Sequence, residues 1–247
     1  MYFDGSFTEA KSMTLAALAA DEQVWIYFER EWANLLSDRG NPPYMHMKEA
    51  MPLKGAFEGW EPEARDFLVY GLLGLIMEIG QNPRFRSFTC TIDLVAHKRW
   101  KAEKNLPLPE RLCARLVFPK AYEWYSSFPD PILDSIDVFF DRNERFMGHI
   151  AGDWNNKKTQ KTHPIWGLVR TIAPADMRQT PPLQAADMLA WARNRMAVVE
   201  RNDKFSQLAR DILNGPARTF IDLNEKALSS RRFPEGGIVR PLRKPGR

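Results

Sequence analysis

Cysteine is scarce in this chain, and long apolar runs are missing from it. Only Cys90 and Cys113 occur in 247 residues. Each has apolar neighbours, which argues against a disulfide framework or a cysteine zinc site and suggests reduced core thiols. The longest apolar stretch, Phe67 to Ile79, is interrupted by Tyr70, Gly71, Gly74 and Glu78. It falls short of the roughly 20 residues that cross a bilayer. Met1 to Phe3 runs into Asp4 with no basic segment ahead of it, so no secretory leader is expected. The default is a cytoplasmic protein with no membrane partner. No phosphate-cradling glycine loop, nucleophile elbow or zinc signature is present. That sets aside nucleoside-triphosphatase, serine-hydrolase and zinc-enzyme chemistry. No internal repeat is visible.

What is present is enough apolar material, 44% of residues, to bury one large domain or one domain with a small attachment. The net charge of +4 is unevenly placed. Residues 231–247 hold Arg231, Arg232, Arg240, Arg243, Lys244 and Arg247 against Glu235 alone, so the body before them is nearly neutral. Such a Pro/Gly-rich basic tail suits a phosphate backbone, and equally a solvated, flexible terminus.

Strands alternate with helices along the chain. Met1 to Phe3 and Met13 to Ala19 read as strands joined by a hairpin connection from Gly5 to Ser12, the second apolar enough to be covered on both faces. Asp21-Glu22 opens a helix with Val24, Phe28, Trp32 and Leu35 on its packed side. Asn41-Pro42-Pro43 breaks the chain before an extended piece, Tyr44 to Glu49. A helix after Trp60 buries Phe67, Leu68, Leu72, Leu75, Ile76 and Ile79. Ser87 to Val95 alternates as a strand. A helix follows from Glu110 to Phe128, its continuity questioned by Pro119, and then a strand from Ser135 to Phe140 ends in Asp141. Asp153 to His163 reads as a loop, Leu168 to Ile172 as a strand, and Pro181 as the start of a helix with Thr180 as N-cap. Two helices flank Asn214-Gly215-Pro216. The expected fold is an α/β layer: an opening antiparallel hairpin, then parallel strands, flanked by helices with extra C-terminal helices.

The chemistry lies in the acids. Asp4 and Asp141 each follow a short apolar strand. If those strands are parallel neighbours, the carboxylates come side by side where open α/β sheets place ligands. Two like charges that close need a cation or a shared proton, and Mg²⁺ or Mn²⁺ suits oxygen ligands. Asp187 shares a helix face with Leu183 and Ala190, the side expected to pack on the sheet, where an unpaired carboxylate is costly. The alternatives are strand-ending surface acids for the first two, and a salt bridge to Arg193 or Arg195 for Asp187. Gln184 borders that face and would contact substrate or orient Asp187. Glu49 is a fourth acid; Lys48 beside it would meet a phosphate, and His46 would move protons. Asp93 and Asp137 stand in reserve, Asp137 on the same strand face as Asp141. His97, His149 and His163 lack ligand spacing and read as surface residues.

Phe3-Asp4-Gly5-Ser6 at one end and Gln184-Ala185-Ala186-Asp187-Met188-Leu189-Ala190 at the other resemble the signatures of the family called domain of unknown function 3800. That family opens with an Asp-Glu-Ser turn and closes with a Gln-Leu-Ala-Asp helix. Met47-Lys48-Glu49 looks like its Glu-bearing segment, and Val138-Phe139-Phe140-Asp141 like its acid-terminated strand. The likeness runs in element order over residues 1–200; Gly5 stands where the family has Glu. The resemblance implies a ribonuclease H-like domain over 1–200, with a helical extension over 201–230 and the basic tail over 231–247. It implies Asp4, Glu49, Asp141 and Asp187 as catalytic metal ligands for Mg²⁺ or Mn²⁺, with Ser6, Lys48 and Gln184 toward substrate. The expected activity is metal-dependent nucleic-acid phosphodiester hydrolysis. Its rivals are a non-catalytic nucleic-acid or protein-binding module on the same fold, and hydrolysis of another phosphoester.

Overall fold

The computed structural model describes residues 1–8, 11–128, 135–142, 144, 147–156, 163–198, 204–214 and 217–230. The basic tail over 231–247 lies outside them. One six-stranded sheet organises the rest, in the order β5-β4-β1-β2-β3-β6. Strand β1 (Tyr2–Thr8) pairs antiparallel with β2 (Ser12–Ala20), and β2 pairs antiparallel with β3 (Phe85–Asp93). Strand β4 (Ile136–Asp141) lies parallel to β1, and β5 (Val169–Ala175) parallel to β4. The expected mixed sheet, an antiparallel hairpin followed by parallel strands, is present.

Alternating side chains divide the sheet between two helical layers. Phe3, Met13, Leu15, Ala17, Phe88, Cys90, Ile92 and Phe140 pack against α5 (Pro109–Tyr125), with α6 (Met147–Asn155) and α7 (Ile165–Leu168) beside it. On the other face Ala16 and Leu18 pack against α1 (Glu22–Asp38), α3 (Pro62–Ile79), α8 (Pro181–Val198) and α9 (Lys204–Leu213). Helix α8 is buried from Pro182 to Ala190, where Ala185, Ala186 and Ala190 let it lie close across β1 and β2. Pro119 sits inside α5 without ending it.

Several elements differ from expectation. Strand β1 continues through Gly5 to Thr8, because β2 supplies a partner for each of those residues; of the expected Gly5 to Ser12 connection, residues 9 and 10 lie outside the described residues. Helix α1 buries Trp25 and Leu36 in place of Val24 and Leu35, while Phe67 of α3 is 60% exposed beneath the Arg39 guanidinium. Within the extended 44–49 piece, Met47–Ala50 curls into a helical turn, α2. Asp93 ends β3 by capping α4 (Leu94–Lys104), its carboxylate accepting from the Val95 and Ala96 N–H groups. The start of the expected 153–163 loop belongs to α6, and 157–162 lie outside the described residues. The 201–230 segment is not purely helical: between α9 and α10 (Glu225–Ser230), β6 (Arg218–Leu223) pairs parallel with β3 and completes the sheet.

Candidate functional site

Strands β1 and β4 pair as far as Phe3 and Phe140. The next residue on each is an acid, Asp4 or Asp141, and beyond it β1 continues with β2 alone. Asp4 therefore sits inside a strand, at the fork where β4 leaves it, and not at a strand end. Both carboxylates face the α8 layer, where the helix presents Asp187. The three acids are nine-tenths buried and line one cavity of about 550 Å³ with Gly5, Phe7, His46, Lys48, Glu110, Glu144 and Met177.

The Gln-x-x-Asp spacing of α8 has a visible purpose. Gln184 and Asp187 stand one turn apart and grip alternate N–H groups of the chain entering α2. Met45 N donates to Gln184 Oε1 at 2.8 Å and Met47 N to Asp187 Oδ2 at 2.6 Å. Gln184 Oε1 also accepts from the Trp32 indole at 2.8 Å, and its amide donates to the Met177 carbonyl at 3.0 Å. Gln184 is thus a structural clamp that orients this segment; it is buried and does not line the cavity. Arg193 pairs with Asp222, so the salt bridge considered for Asp187 does not use it.

Glu49 does not line that cavity. Its carboxylate accepts from Tyr44 Oη at 2.9 Å and Ala56 N at 3.1 Å, and meets His46 Nδ1 at 3.1 Å. Gly55, at φ +57°, lets the carboxylate fold back; a Cβ there would lie 2.3 Å from Glu49 Oε2. Partial burial pushes the Glu49 carboxyl up, but the Ala56 N–H, His46 and Tyr44 bonds outweigh that and leave it below the usual carboxylate range. Ser6 pairs with Thr14 in the hairpin and does not line the cavity, whereas Lys48 does.

Asp137, the reserve acid, lies at the far end of β4 in an ion pair with Arg170. A second cavity, of about 610 Å³, opens at that end among Tyr2, Trp25, Trp124 and Phe139. Its lining mixes those rings with the acids Asp21, Glu22 and Glu29, none of which is buried, and Asp137 there is already neutralised by Arg170. His97 and His163 are buried and not on the surface: His97 Nε2 meets the Pro107 carbonyl at 2.8 Å, and His163 packs edge-on against Tyr122.

Periodicity singles out neither Glu144 nor Glu110. Glu144 follows β4, and its Oε1 accepts from Gly5 N at 3.0 Å. Glu110 enters from the first turn of α5. The available signal was Gly5 itself, since a glycine inside a strand marks close approach by another group.

Burial and like charge dominate the electrostatics. Desolvation, then the Asp187, Glu144 and Asp141 charges, hold the Asp4 carboxyl well above its ordinary value. Asp187 is also raised by burial, although the His46 charge, the Met47 N–H and a hydrogen bond from Asp4 partly offset this. Glu144 is pushed up to about 7 by burial, against the Gly5 N–H bond, with Asp141, Glu110 and Asp187 adding to the rise. Among the described residues, no group of three or more His, Cys, Asp or Glu stands arranged to hold a metal ion as it is. Without a cation, burial and like charge favour the protonated forms of Asp4 and Asp187. No protein-family model matches the chain, and no curated protein or solved structure matches it either.

Proposed function

We propose that this chain is a divalent-metal-dependent hydrolase of nucleic-acid phosphodiesters on a ribonuclease H-like fold. One observation carries the reading: Asp4, Asp141 and Asp187, from three distant parts of the chain, are buried together around one cavity that also holds Lys48 and His46. The mixed strand order is compatible with that fold. The donors are all carboxylate oxygens, the set that Mg²⁺ and Mn²⁺ prefer. The raised protonation of Asp4 and Asp187 marks an unmet demand for positive charge, which a bound cation would meet.

Asp4, Asp141 and Asp187 would hold the metal. A bound divalent cation supplies Lewis acidity toward the phosphoryl group and its attacking water. The chain's own groups do the rest. Lys48, exposed at the cavity mouth, draws in a phosphate. Ionised Glu49 accepts only, so it keeps the proton on His46 Nδ1 and leaves Nε2 as the base. Glu49 is therefore a positioning residue for His46. Phe7, 53% exposed at the cavity, offers a face on which a base stacks. That ring favours nucleic acid over a small phosphoester.

The rival is a non-catalytic nucleic-acid or protein-binding module, favoured by the absence of a ready-made metal arrangement among the described residues. Fluorescence-monitored cleavage separates the two. Single- and double-stranded DNA, RNA and hybrid substrates are offered with Mg²⁺, Mn²⁺ or EDTA, beside Asp4→Asn and Asp187→Asn. The expected result is metal-dependent cutting that falls by on the order of 10³-fold in both variants, equal to about 4 kcal/mol of lost transition-state stabilisation. Equal background in all three proteins would leave the binding module as the reading.

A further inference from the structure

Resting on that reading, we infer that Glu144 supplies a fourth carboxylate to the cation site, reaching it over the bare face of Gly5. Asp4 faces the α8 layer, and the next position on β1 faces the α5 layer with no side chain. Glu144 occupies that space. Its N–H donates to the Asp141 carbonyl at 2.9 Å, which ties the residue to the end of β4, and its Oε1 accepts from Gly5 N. A Cβ at position 5 would lie 2.9 Å from Oε1, so any side chain there displaces the carboxylate.

The backbone does not explain the glycine. Gly5 is not among the residues with positive φ, and glycine inside a strand is destabilising where the conformation does not require it. Room for Glu144 does explain it. With Oε1 committed to Gly5, Oε2 is the atom left to meet a cation. A second observation points the same way: Glu110 lines the cavity from α5, and its Oε2 is buried with no hydrogen-bond partner. Five acids thus line a cavity whose basic groups, among the described residues, are His46 and Lys48.

Mn²⁺ titration calorimetry on the full chain tests the role without relying on turnover. Wild type is compared with Glu144→Gln, Gly5→Ala, the double variant Gly5→Glu/Glu144→Ala, and Asp4→Asn as the reference loss. Circular-dichroism melts report folding. Glu144→Gln should bind Mn²⁺ roughly 10- to 100-fold more weakly, as for the loss of one supporting group at a metal. Gly5→Ala should weaken binding less, by pushing Glu144 aside. The double variant should recover most of the affinity, because the carboxylate returns from the other side of the same gap. Wild-type affinity in Glu144→Gln, with binding lost in Asp4→Asn, overturns the role and leaves the metal reading standing. A wild type that takes up no Mn²⁺ overturns both.

Discussion

Two buried acid systems lie on this fold, and burial is almost all they share. Asp153, near the end of α6, is 1% exposed and held by Arg111 and Arg115 from α5. Arg115 Nε and a terminal nitrogen reach its two oxygens at 2.8 and 2.7 Å. Burial pushes that carboxyl up, but the two guanidinium groups outweigh it and leave it below the usual range. Asp4 is 6% exposed, yet the charges around it are other acids, and its carboxyl goes the opposite way. A buried carboxylate with fixed cations on both sides is complete and anchors one helix to another. One whose neighbours are also acids is incomplete until something positive arrives.

The comparison can be broken most directly at its complete half. Asp153→Ala strands the buried Arg115 guanidinium and should cost about 3–5 kcal/mol, read as a lower urea midpoint, with Mn²⁺ binding by the folded fraction unchanged. A loss under about 1 kcal/mol would show that the pair does not anchor α6.

pH sharpens the contrast, because the two systems respond with opposite sign. Glu144 holds its proton up to about 7 when folded, whereas the unfolded chain releases it near 4.5. Its stabilising effect is complete below the lower value and disappears as pH rises through the upper one. The metal-free protein should therefore lose up to about 3 kcal/mol between pH 5 and 8 from this group alone. Asp4 adds to the same trend, and saturating Mn²⁺ should reverse it. Asp4→Asn, without metal, should melt above wild type at pH 8 and close to it at pH 5. Asp153, with a lowered folded value, contributes stability that is lost only as pH falls through that value. A flat metal-free melting temperature across pH 5–8 would contradict the account of the cavity.

The smallest effect concerns the cavity mouth. Phe7→Ala removes a stacking surface worth about 1–3 kcal/mol per base. It should weaken single-stranded oligonucleotide binding, measured by anisotropy, and leave Mn²⁺ affinity intact. Unchanged oligonucleotide affinity would remove the base-stacking role.

The sequence made the three central acids legible because each follows from a local pattern. Asp4 and Asp141 follow apolar strands, and Asp187 sits on a helix opened by Pro181 whose inward side is apolar. Other residues were misread because their roles depend on distant partners. Gln184 is occupied by Trp32, Met45 and Met177, and Glu49 is turned back by the close approach of Gly55. Strand β6 was missed because Thr219, Phe220, Ile221 and Asp222 form a short, half-exposed edge that takes its conformation from β3. His97 and His163 have no periodic signature, and their burial comes from packing against other elements.

The fork in the sheet also sets a timetable. β4 and α8, which carry the partner acids of Asp4, lie more than a hundred residues after it. At roughly 5–20 residues per second, Asp187 emerges about 10–40 s after Asp4. Pairings of such high sequence separation are also slow to close. During synthesis the hairpin of β1 and β2 can form while the cavity is still without its helix. The nascent chain therefore lacks this acid-lined cavity until α8 has been made, long after the hairpin that carries Asp4.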